Sequence, residues 1–485
     1  MASDDHDTAE NGDSNHAHQP KKPKLNPKAL ITQSEIRSEF AHHDPTVARI
    51  NNGSFGCCPS SILDAQRKWQ LLFLRQPDAF YFHHLRPAID ASRRLLLPLI
   101  NASHIDELSL VDNATTATAV VLQYVSRGFS ERRFERGDAV VMLHYAYGAV
   151  KKSVHAYVSR AGGHVIEVPL PFPVYSPDDV IHEFRNALKR ARIEDRRVRL
   201  AVIDHITSMP CVVLPVKELV GICREEGVDQ VFIDGAHAIG CTKVDMKEIG
   251  ADFYTSNLHK WLFGPPSVAF LYCRKSNQVD DVHHPVVSNE YGNGLPVESA
   301  WIGTRDYSSQ LVVPEVLEFV NRFEGGMDGI MRRNHEKVVE MGEMLVKAWG
   351  THLGCSPEMS ASMIMVGLPA CLGIRSENDA LKLRTHLREK FKVEVPLYYR
   401  PPRDGEIDYL TGYARISYQV YNEVDDYYRF SDAVNQLVQD GFTSMSVKSI
   451  LLTMDEGPMF SCEVGAAVLL FSIACVTVSF LLVTN

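Results

Sequence analysis

A lysine and an aspartate are the residues of this sequence best suited to covalent chemistry. Lys260 stands between a histidine and a tryptophan in SNLHKWLFGPP, residues 256–266, and Asp234 ends the apolar stretch QVFID. A lysine removed from water can form a Schiff base with an aldehyde. An aspartate held against a pyridine nitrogen keeps that nitrogen protonated, so that the ring can accept electrons from a carbanion. The pair therefore points to chemistry on an aldehyde that carries a pyridine ring.

A third segment supplies a candidate phosphate site. The stretch DNATTATAV, residues 112–120, places small and hydroxylated residues at the start of a predicted helix. Backbone N–H groups and hydroxyls at a helix start bind phosphate, because the helix dipole favours negative charge there. A Schiff-base lysine, a carboxylate for the ring nitrogen and a phosphate-binding helix start are the three parts needed to hold pyridoxal phosphate.

Alternating strands and helices must position these residues. Runs rich in valine and isoleucine predict buried strands, and these are AVVML (139–143), HVIEV (164–168), VRLAVID (198–204) and QVFID (230–234). Helical spacing at 177–193 and 216–227 lies between them, which predicts an α/β fold with a mostly parallel sheet. Two more strands are expected at 252–256 and 267–273, on either side of Lys260. Ligands of such sheets bind at the carboxyl ends of the strands, where Asn113, Tyr147, Ser208 and Asp234 fall.

The sequence divides into four predicted parts. Residues 1–45 begin with a very polar stretch and are expected to be disordered, and 46–310 form the large cofactor-binding domain. Helix-like and strand-like stretches over 311–442 predict a smaller α+β domain. A tail, 443–485, contains the uncharged segment 464–485. As a helix at about 1.5 Å per residue this segment is long enough to cross a bilayer core of roughly 30 Å, so it is either a membrane anchor or a segment buried in the fold.

Composition and missing motifs exclude several classes of protein. The net charge of −10 argues against a nucleic-acid-binding protein, which normally carries a basic patch. The ten cysteines form no CxxC pair, so neither a disulfide framework nor a metal site is expected. No HExxH, GxSxG or P-loop motif points to another class of enzyme.

The N-terminal residues favour a cytoplasmic protein. No apolar segment follows Met1, and the acidic start is unlike that of an organelle transit peptide. The stretch PKKPKL, residues 20–25, is either a nuclear-localisation patch or a solvated basic run. A nuclear pool and anchoring of the C-terminal segment to a membrane are therefore the alternatives.

Two of these motifs together resemble a known family. FIDGAHAIG followed by FYTSNLHKWLFGPP is similar to the class-V aminotransferase group of fold-type I pyridoxal-phosphate enzymes, which includes cysteine desulfurases and isopenicillin N epimerase-like proteins. The resemblance covers roughly residues 46–442, and RINNGSFGCCP and WIGTRD resemble the plant L-cysteine desulfhydrases of that group. It implies the fold-type I architecture, with Lys260 as the lysine that binds the cofactor covalently and Asp234 as the partner of the ring nitrogen.

Other cofactor contacts are implied by the resemblance alone. Tyr147 matches the residue that stacks on the ring, with His144 and Tyr145 as alternatives a few positions away, and Ala236 packs on the other face. His237 and Ser208 match positions near the phenolic oxygen of the cofactor. Thr115, Asn257 and His259 match phosphate contacts, and Asn113, at the preceding strand end, is expected to bind the cofactor. The alternative for His259 is that it only caps the turn.

The resemblance also implies a substrate site and a partner. Arg415 matches an arginine that binds the substrate carboxylate, and the alternative is a residue on a strand surface. Asn52 and Gly53 are expected to line the substrate entrance. Gly303 and Thr304 match a phosphate contact from a neighbouring subunit, which implies a homodimer. The implied substrate is L-cysteine or a similar small amino acid.

The cofactor leaves the reaction open, and the resemblance favours β-elimination of L-cysteine to hydrogen sulfide, pyruvate and ammonia. A desulfurase needs a cysteine on a mobile loop to accept sulfur. Cys355 is on a predicted loop, Cys273 ends a strand and Cys371 is expected to be buried, while Cys462 and Cys475 lie in the tail. Desulfuration or epimerisation by the same family is one alternative. A non-catalytic scaffold tethered to a membrane is the other, and the presence of both Lys260 and Asp234 argues against it.

Overall fold

A computed structural model describes residues 29–275, 281–402 and 410–444. The basic patch at 20–25, the apolar segment 464–485, Cys462 and Cys475 lie outside the described residues. Among the described helices none is long and apolar enough to cross a membrane.

The described residues form twelve strands and seventeen α-helices. The strands are β1 (Ala48–Arg49), β2 (Leu108–Val111), β3 (Ala139–Leu143), β4 (His164–Val168), β5 (Val198–Asp204), β6 (Gln230–Asp234), β7 (Phe253–Asn257), β8 (Ala269–Cys273), β9 (Met363–Gly367), β10 (Val393–Glu394), β11 (Leu397–Tyr399) and β12 (Gly412–Ser417). The helices are α1 (Gln33–Glu39), α2 (Asn52–Phe55), α3 (Ser60–Arg75), α4 (Pro77–Ala79), α5 (Arg86–Leu96), α6 (Ala114–Ser130), α7 (Gly148–Tyr157), α8 (Pro177–Ile193), α9 (Val216–Glu225), α10 (Met246–Ile249), α11 (Leu258–Trp261), α12 (Leu295–Glu298), α13 (Ser308–Leu311), α14 (Val313–Val320), α15 (Gly326–Trp349), α16 (Glu377–Phe391) and α17 (Val424–Gln439).

A seven-stranded sheet forms the centre of the fold, in the order β2-β8-β7-β6-β5-β3-β4. Strands β4, β3, β5, β6 and β7 are parallel to one another, and β8 is antiparallel to both β7 and β2. Every residue of β3, β5 and β6 is buried, because helices cover both faces of the sheet. The predicted α/β fold with a mostly parallel sheet is confirmed.

The register of this sheet brings two carboxyl groups together. Asp204, the last residue of β5, is the Cα partner of Asp234, the last residue of β6. Asp234 in turn pairs with Thr255 of β7. Parallel strands end at the same edge, so the chemistry-bearing residues that follow β5, β6 and β7 collect there.

The connection between β7 and β8 holds Lys260 on a single helical turn, α11. The backbone N–H groups of Leu258 and Gly264 donate to Val268 O and Leu258 O, at 3.1 Å each. Phe263, in the left-handed region at φ 63°, is buried under this turn. A Cβ at Gly240 would lie 2.6 Å from Trp261 O, so only glycine fits there. The turn that carries Lys260 is therefore packed on both sides.

A second, smaller sheet lies in the C-terminal part. Its order is β11-β12-β9 and both pairings are antiparallel. Helices α15 and α17 pack with each other, and α15 packs on β9. This arrangement of an antiparallel sheet with helices agrees with the predicted smaller α+β part. The domain boundaries themselves stay a prediction.

The disorder expected for residues 1–45 is wrong for residues 29–45. Helix α1 starts with a capping box between Thr32 and Glu35, and it buries Ile36. Phe40, at its end, is also buried. Strand β1 then pairs with β10, which joins the N-terminal segment to the C-terminal part of the chain. The polar composition of residues 1–45 gave no indication of this helix, because the packing of only two apolar side chains is enough to order a short helix.

Candidate active site

A cavity of about 180 Å³ opens at the carboxyl ends of β5, β6 and β7. Ten residues expected from the sequence line it: Asn113, Thr115, Tyr147, Ser208, Asp234, Ala236, His237, Asn257, His259 and Lys260. Others that the sequence analysis did not select also line it, among them Ser54 and Asp204. The fold therefore brings most of the predicted site together although its members come from many separate segments.

The Lys260 amine is a strong candidate nucleophile and base. Its Nζ lies 3.3 Å from His237 Nε2. Burial lowers the pKa of Lys260 from its ordinary value of 10.5 to about 8, although the carboxylate of Asp234 opposes this shift. A lysine with this pKa has a sizeable neutral fraction at physiological pH, and the neutral amine is the form that attacks a carbonyl or takes a proton.

The tautomer of His237 follows from the hydrogen bond at its other ring nitrogen, Nδ1. Trp261 Nε1–H donates to His237 Nδ1 at 3.4 Å. Burial holds the pKa of His237 well below its usual range, so the imidazole is neutral. With Nδ1 as acceptor, the single ring proton lies on Nε2 and points at the Lys260 amine. When the amine is neutral, His237 Nε2–H therefore donates to the lone pair of Lys260.

Asp234 shares its edge of the sheet with a second buried carboxyl group, that of Asp204. The N–H of Ala236 donates to Asp234 Oδ1 at 3.0 Å. Burial raises the pKa of Asp234, and burial together with the charge of Asp234 raises the pKa of Asp204 much further. Asp204 Oδ2 is buried with no hydrogen-bond partner among the described residues. We conclude that Asp204 carries the proton of the pair, which leaves Asp234 as the carboxylate.

Asp204 was not among the site residues predicted from the sequence. It is the last letter of the strand VRLAVID, where it reads as an ordinary strand end. The signal that could have found it is the matching Asp at the end of QVFID, since two strands that both end in aspartate place both carboxyl groups at one edge when they are neighbours in the sheet.

The start of helix α6 forms one end of the cavity. Asn113 caps it by accepting from Thr116 N–H at 2.9 Å, and Asn257 accepts from Ala114 N–H at 2.9 Å. Thr115, the second residue of α6, is exposed and lines the cavity. The positive end of a helix of 17 residues is thus directed at the site. This end suits a phosphate group.

His259 borders the same region. Its Nδ1 lies 3.3 Å from Val268 O, so the ring donates to that carbonyl, and its Nε2 is left for a ligand. Burial and the nearby Lys260 lower the pKa of His259 to about 4. The hydrogen bond to Val268 is the turn-capping role that the sequence left open, and it is compatible with a ligand on Nε2.

The three aromatic candidates for the residue that stacks on the cofactor ring occupy different places in the structure. Tyr147 lines the cavity and is 54% exposed. His144 Nδ1 instead bonds the N–H of Leu170, at 2.9 Å, and the hydroxyl of Tyr145 donates to Leu170 O at 3.2 Å. Of the three, Tyr147 alone lies where it could stack on a ligand in this cavity.

Arg415 lies in β12, behind the cavity wall. It is buried, and its Nη1 donates to Ser208 O at 2.8 Å while its Nη2 donates to Ser54 Oγ at 2.8 Å. Its Nε is buried without a partner, and no carboxylate pairs with Arg415 among the described residues. A buried guanidinium that lacks a counter-ion next to a cavity is suited to an anionic ligand.

Besides Arg415, four expected residues do not line the cavity, and these are Asn52, Gly53, Gly303 and Thr304. Asn52 is fully buried, and its side chain donates to Asn422 Oδ1 at 2.7 Å and accepts from Tyr421 at 2.8 Å. A Cβ at Gly53 would lie 2.3 Å from Met363 Sδ, so that residue is packed inside as well. Ser54, in the same short helix α2, is the residue that lines the cavity. Thr304 is exposed and does not line the cavity of its own chain.

The candidate sulfur acceptors are not at the site either. Cys355, expected on a loop, is 1% exposed, and Cys371, expected to be buried, is exposed on a short turn. Burial raises the pKa of the Cys355 thiol far above its usual range, so it is a thiol and a poor nucleophile. No cysteine of the described residues lines the cavity.

These groups fit pyridoxal phosphate. The neutral Lys260 amine suits its aldehyde, the ionised Asp234 suits its ring nitrogen, and the start of α6 suits its phosphate. The uncompensated Arg415 remains for the carboxylate of an amino acid. The chemistry of the donor set is that of an amino-acid enzyme which forms a Schiff base.

Known proteins share this sequence and fold. Residues 82–374 match the family described as Aminotransferase class-V. A probable chloroplastic L-cysteine desulfhydrase of Arabidopsis thaliana is 70% identical over 88% of this chain and 90% of its own length. An L-cysteine desulfhydrase of the same plant is 61% identical over 91% of this chain and 98% of its own length. A solved cysteine desulfurase of Thermococcus onnurineus NA1 shares the fold, with a TM-score of 0.62 at 18% identity over 85% of this chain and 100% of its own.

Proposed function

The chain belongs to the aminotransferase class-V family, and we propose that it is a pyridoxal-phosphate-dependent L-cysteine desulfhydrase. The reaction converts L-cysteine and water to hydrogen sulfide, pyruvate and ammonia. Two relatives that carry this name are 70% and 61% identical to the chain over most of its length. The observation that carries the proposal is the buried Lys260 amine, with its pKa lowered to about 8, in a cavity that contains Asp234 and that no described cysteine lines.

The residues of the site divide the steps of this reaction among them. When bound, pyridoxal phosphate supplies a ring that accepts the electrons released when the Cα–H bond breaks. Asp234 would hold the ring nitrogen and keep it protonated, because its buried carboxylate stabilises a positive charge placed against it. Lys260 Nζ removes the Cα proton as general base, and His237 Nε2–H holds this amine in place. Hydrosulfide then leaves from Cβ, and water hydrolyses the enamine to pyruvate and ammonia.

Arg415 selects the substrate in this proposal. The substrate carboxylate replaces the contacts that Ser54 and Ser208 make with its guanidinium, and it supplies the missing counter-ion. A planar guanidinium binds a carboxylate through two parallel hydrogen bonds, which a lysine cannot do.

Replacing Arg415 with lysine should lower kcat/KM for L-cysteine by about 10- to 100-fold, mostly through KM, because a bond to a charged group contributes about 1.5–3 kcal/mol. Cysteamine, which lacks the carboxylate, is the matched control substrate. Its turnover should change much less. If the variant loses the same factor in kcat/KM with both substrates, Arg415 holds the segment around Ser54 in place and does not bind the substrate.

The lowered pKa of Lys260 predicts how the cofactor-free protein takes up pyridoxal phosphate. The deprotonated amine attacks the aldehyde, so the rate of uptake should rise with pH up to about 8 and level off above it. The change in visible absorption after mixing measures this rate. An ordinary lysine would give a rate that keeps rising towards pH 10.5, and that profile would contradict the assignment.

Product analysis tests the function itself. Purified protein with pyridoxal phosphate and L-cysteine should release hydrogen sulfide and pyruvate in equal amounts. Alanine together with sulfur bound to the protein would instead identify a desulfurase, and D-cysteine would identify an epimerase. No product from a protein that has bound the cofactor would mean that the substrate is a different amino acid.

We propose further that the protein is a homodimer. Phe82 is 68% exposed and its ring contacts Trp301, two residues before Gly303. Arg305 forms an ion pair with Asp112, beside the start of α6. The segment that contains Thr304 thus lies near the rim of the cavity and next to an exposed apolar side chain, which supports a subunit contact that reaches the site.

The variant Phe82→Asp should shift the protein from dimer to monomer and lower its activity, because a charge cannot be buried unpaired in the contact. Sedimentation velocity measures the assembly state. Phe55→Asp, at another exposed aromatic position, is the matched control. A wild-type protein that sediments as an active monomer would contradict the proposal.

The compartment and any membrane contact stay predictions. The sequence favours the cytoplasm, with a nuclear pool or a membrane anchor at residues 464–485 as alternatives, whereas the name of one relative places that relative in the chloroplast. Imaging of fluorescent fusions, with and without residues 464–485, distinguishes these locations.

A further inference from the structure

Two histidines and a cysteine bring their ligand atoms together outside the cavity. Within residues 29–275, 281–402 and 410–444 one group of this kind is present, and its members are His42, His43 and Cys57, whose ligand atoms all lie within 4.8 Å of one another. His42 Nε2 is 3.7 Å and His43 Nε2 is 2.5 Å from Cys57 Sγ. The sequence did not reveal this group, because the histidines and the cysteine are too far apart to form a familiar metal-binding motif.

Neighbouring residues aim the imidazoles at the cysteine. Ser60 Oγ donates its proton to Glu39 O at 3.1 Å, so its oxygen is left to accept from His42 Nδ1–H at 3.4 Å. His42 Nε2, which faces Cys57, is then the unprotonated nitrogen. The ring of His43 packs edge-on against Tyr421, with ring centres 4.9 Å apart. A hydrogen bond that fixes the tautomer of a histidine is the usual support of a metal ligand.

We propose that His42, His43 and Cys57 bind a zinc ion, with water as the fourth ligand. Two imidazole nitrogens and one thiolate are ligands that Zn²⁺ prefers, and tetrahedral bonds of about 2.0–2.3 Å place such ligand atoms about 3.3–3.6 Å apart. The contact between His42 and Cys57 has nearly this length, and His43 needs to move outward by about 1 Å to meet it. His42 is exposed, so solvent reaches the fourth position.

The position of this site gives it a structural role in the enzyme. Cys57 follows Gly56, where a Cβ would lie 1.9 Å from His259 O and 2.7 Å from Lys260 Cα. The short helix α2, directly before Gly56, carries Ser54, which contacts Arg415. Residues 52–57 are called the Ser54 loop below. A metal ion that ties Cys57 to residues 42 and 43 holds the Ser54 loop against the site. Loss of the ion should therefore raise KM more than it lowers kcat. This kinetic effect rests on the proposed function, whereas the proposal that zinc binds does not.

Metal binding is tested on the full-length protein with its cofactor bound, after treatment with a chelator. Zn²⁺ affinity is measured by competition with a coloured chelator, and Co²⁺ is used as a spectroscopic probe of the ligands. We expect one strongly bound ion per chain and a thiolate-to-cobalt charge-transfer band. Cys57→Ser and His42→Ala should each weaken zinc binding by about tenfold or more. The cofactor absorption of each variant reports whether it is folded.

Cys58→Ser is the matched control, because Cys58 is adjacent but its thiol contacts Pro59 O instead. It should bind Zn²⁺ as the wild type does. Equal binding by the wild type and Cys57→Ser would assign the ion to other histidines of the chain and overturn the proposal. The absence of binding by the wild type, or an equal loss in Cys58→Ser, would overturn it as well.

Discussion

Replacing Lys260 with alanine should lower the turnover of L-cysteine by roughly 10³-fold or more, since it removes both the group that binds the cofactor and the general base. The visible absorption of the covalently bound cofactor should disappear with it. Steady-state release of hydrogen sulfide and the absorption spectrum of the purified protein measure the two effects. Both follow from a single buried amine whose pKa is about 8.

Two further variants separate this role from a structural one. Lys243→Ala changes an exposed lysine outside the cavity, and it should leave activity and spectrum unchanged. Lys260→Arg keeps the charge and most of the volume, but a guanidinium does not lose its proton and cannot act as the base. It should be as inactive as the alanine variant. Activity of either Lys260 variant within tenfold of the wild type is incompatible with the proposed mechanism.

Replacing Asp234 with asparagine should lower kcat/KM by roughly 10²- to 10³-fold. The amide has the same size, but it cannot hold a proton on the ring nitrogen, and removal of one partner of a buried charge pair costs about 3–5 kcal/mol. The measurement is the rate of hydrogen sulfide release at saturating cofactor. The absorption spectrum should show that the cofactor still binds through Lys260.

Asp204→Asn is the matched control for this prediction, because the two carboxyl groups are neighbours in the sheet. Asp204 already carries a proton, so a neutral amide of equal size should replace it with a loss of less than about tenfold. If Asp204→Asn has the larger effect, the roles of the two residues are exchanged, and Asp204 is the partner of the ring nitrogen.

Local patterns in the sequence predicted the strands of the main sheet well. The bounds of β3, β5 and β6 match the predicted runs, because strands buried on both faces read as continuous apolar stretches. The bounds of the edge strand β4 match as well. The ordered helix α1 was missed for the opposite reason. Its stability depends on Ile36 and Phe40 packing against distant residues, and such packing leaves little trace in local composition.

The sequence by itself predicted the chemistry of the site, since the residue types and spacing around Lys260 and Asp234 indicate a Schiff-base lysine and a carboxylate for a ring nitrogen. Only the tertiary structure decided which of the other expected residues join them and which unexpected ones do. The pairing of Asp204 with Asp234, the inward position of Asn52 and the approach of Cys57 to His42 and His43 all depend on contacts between segments far apart in the chain. Sheet order and loop packing set these contacts, and neither can be read from the spacing of residues along one strand or loop.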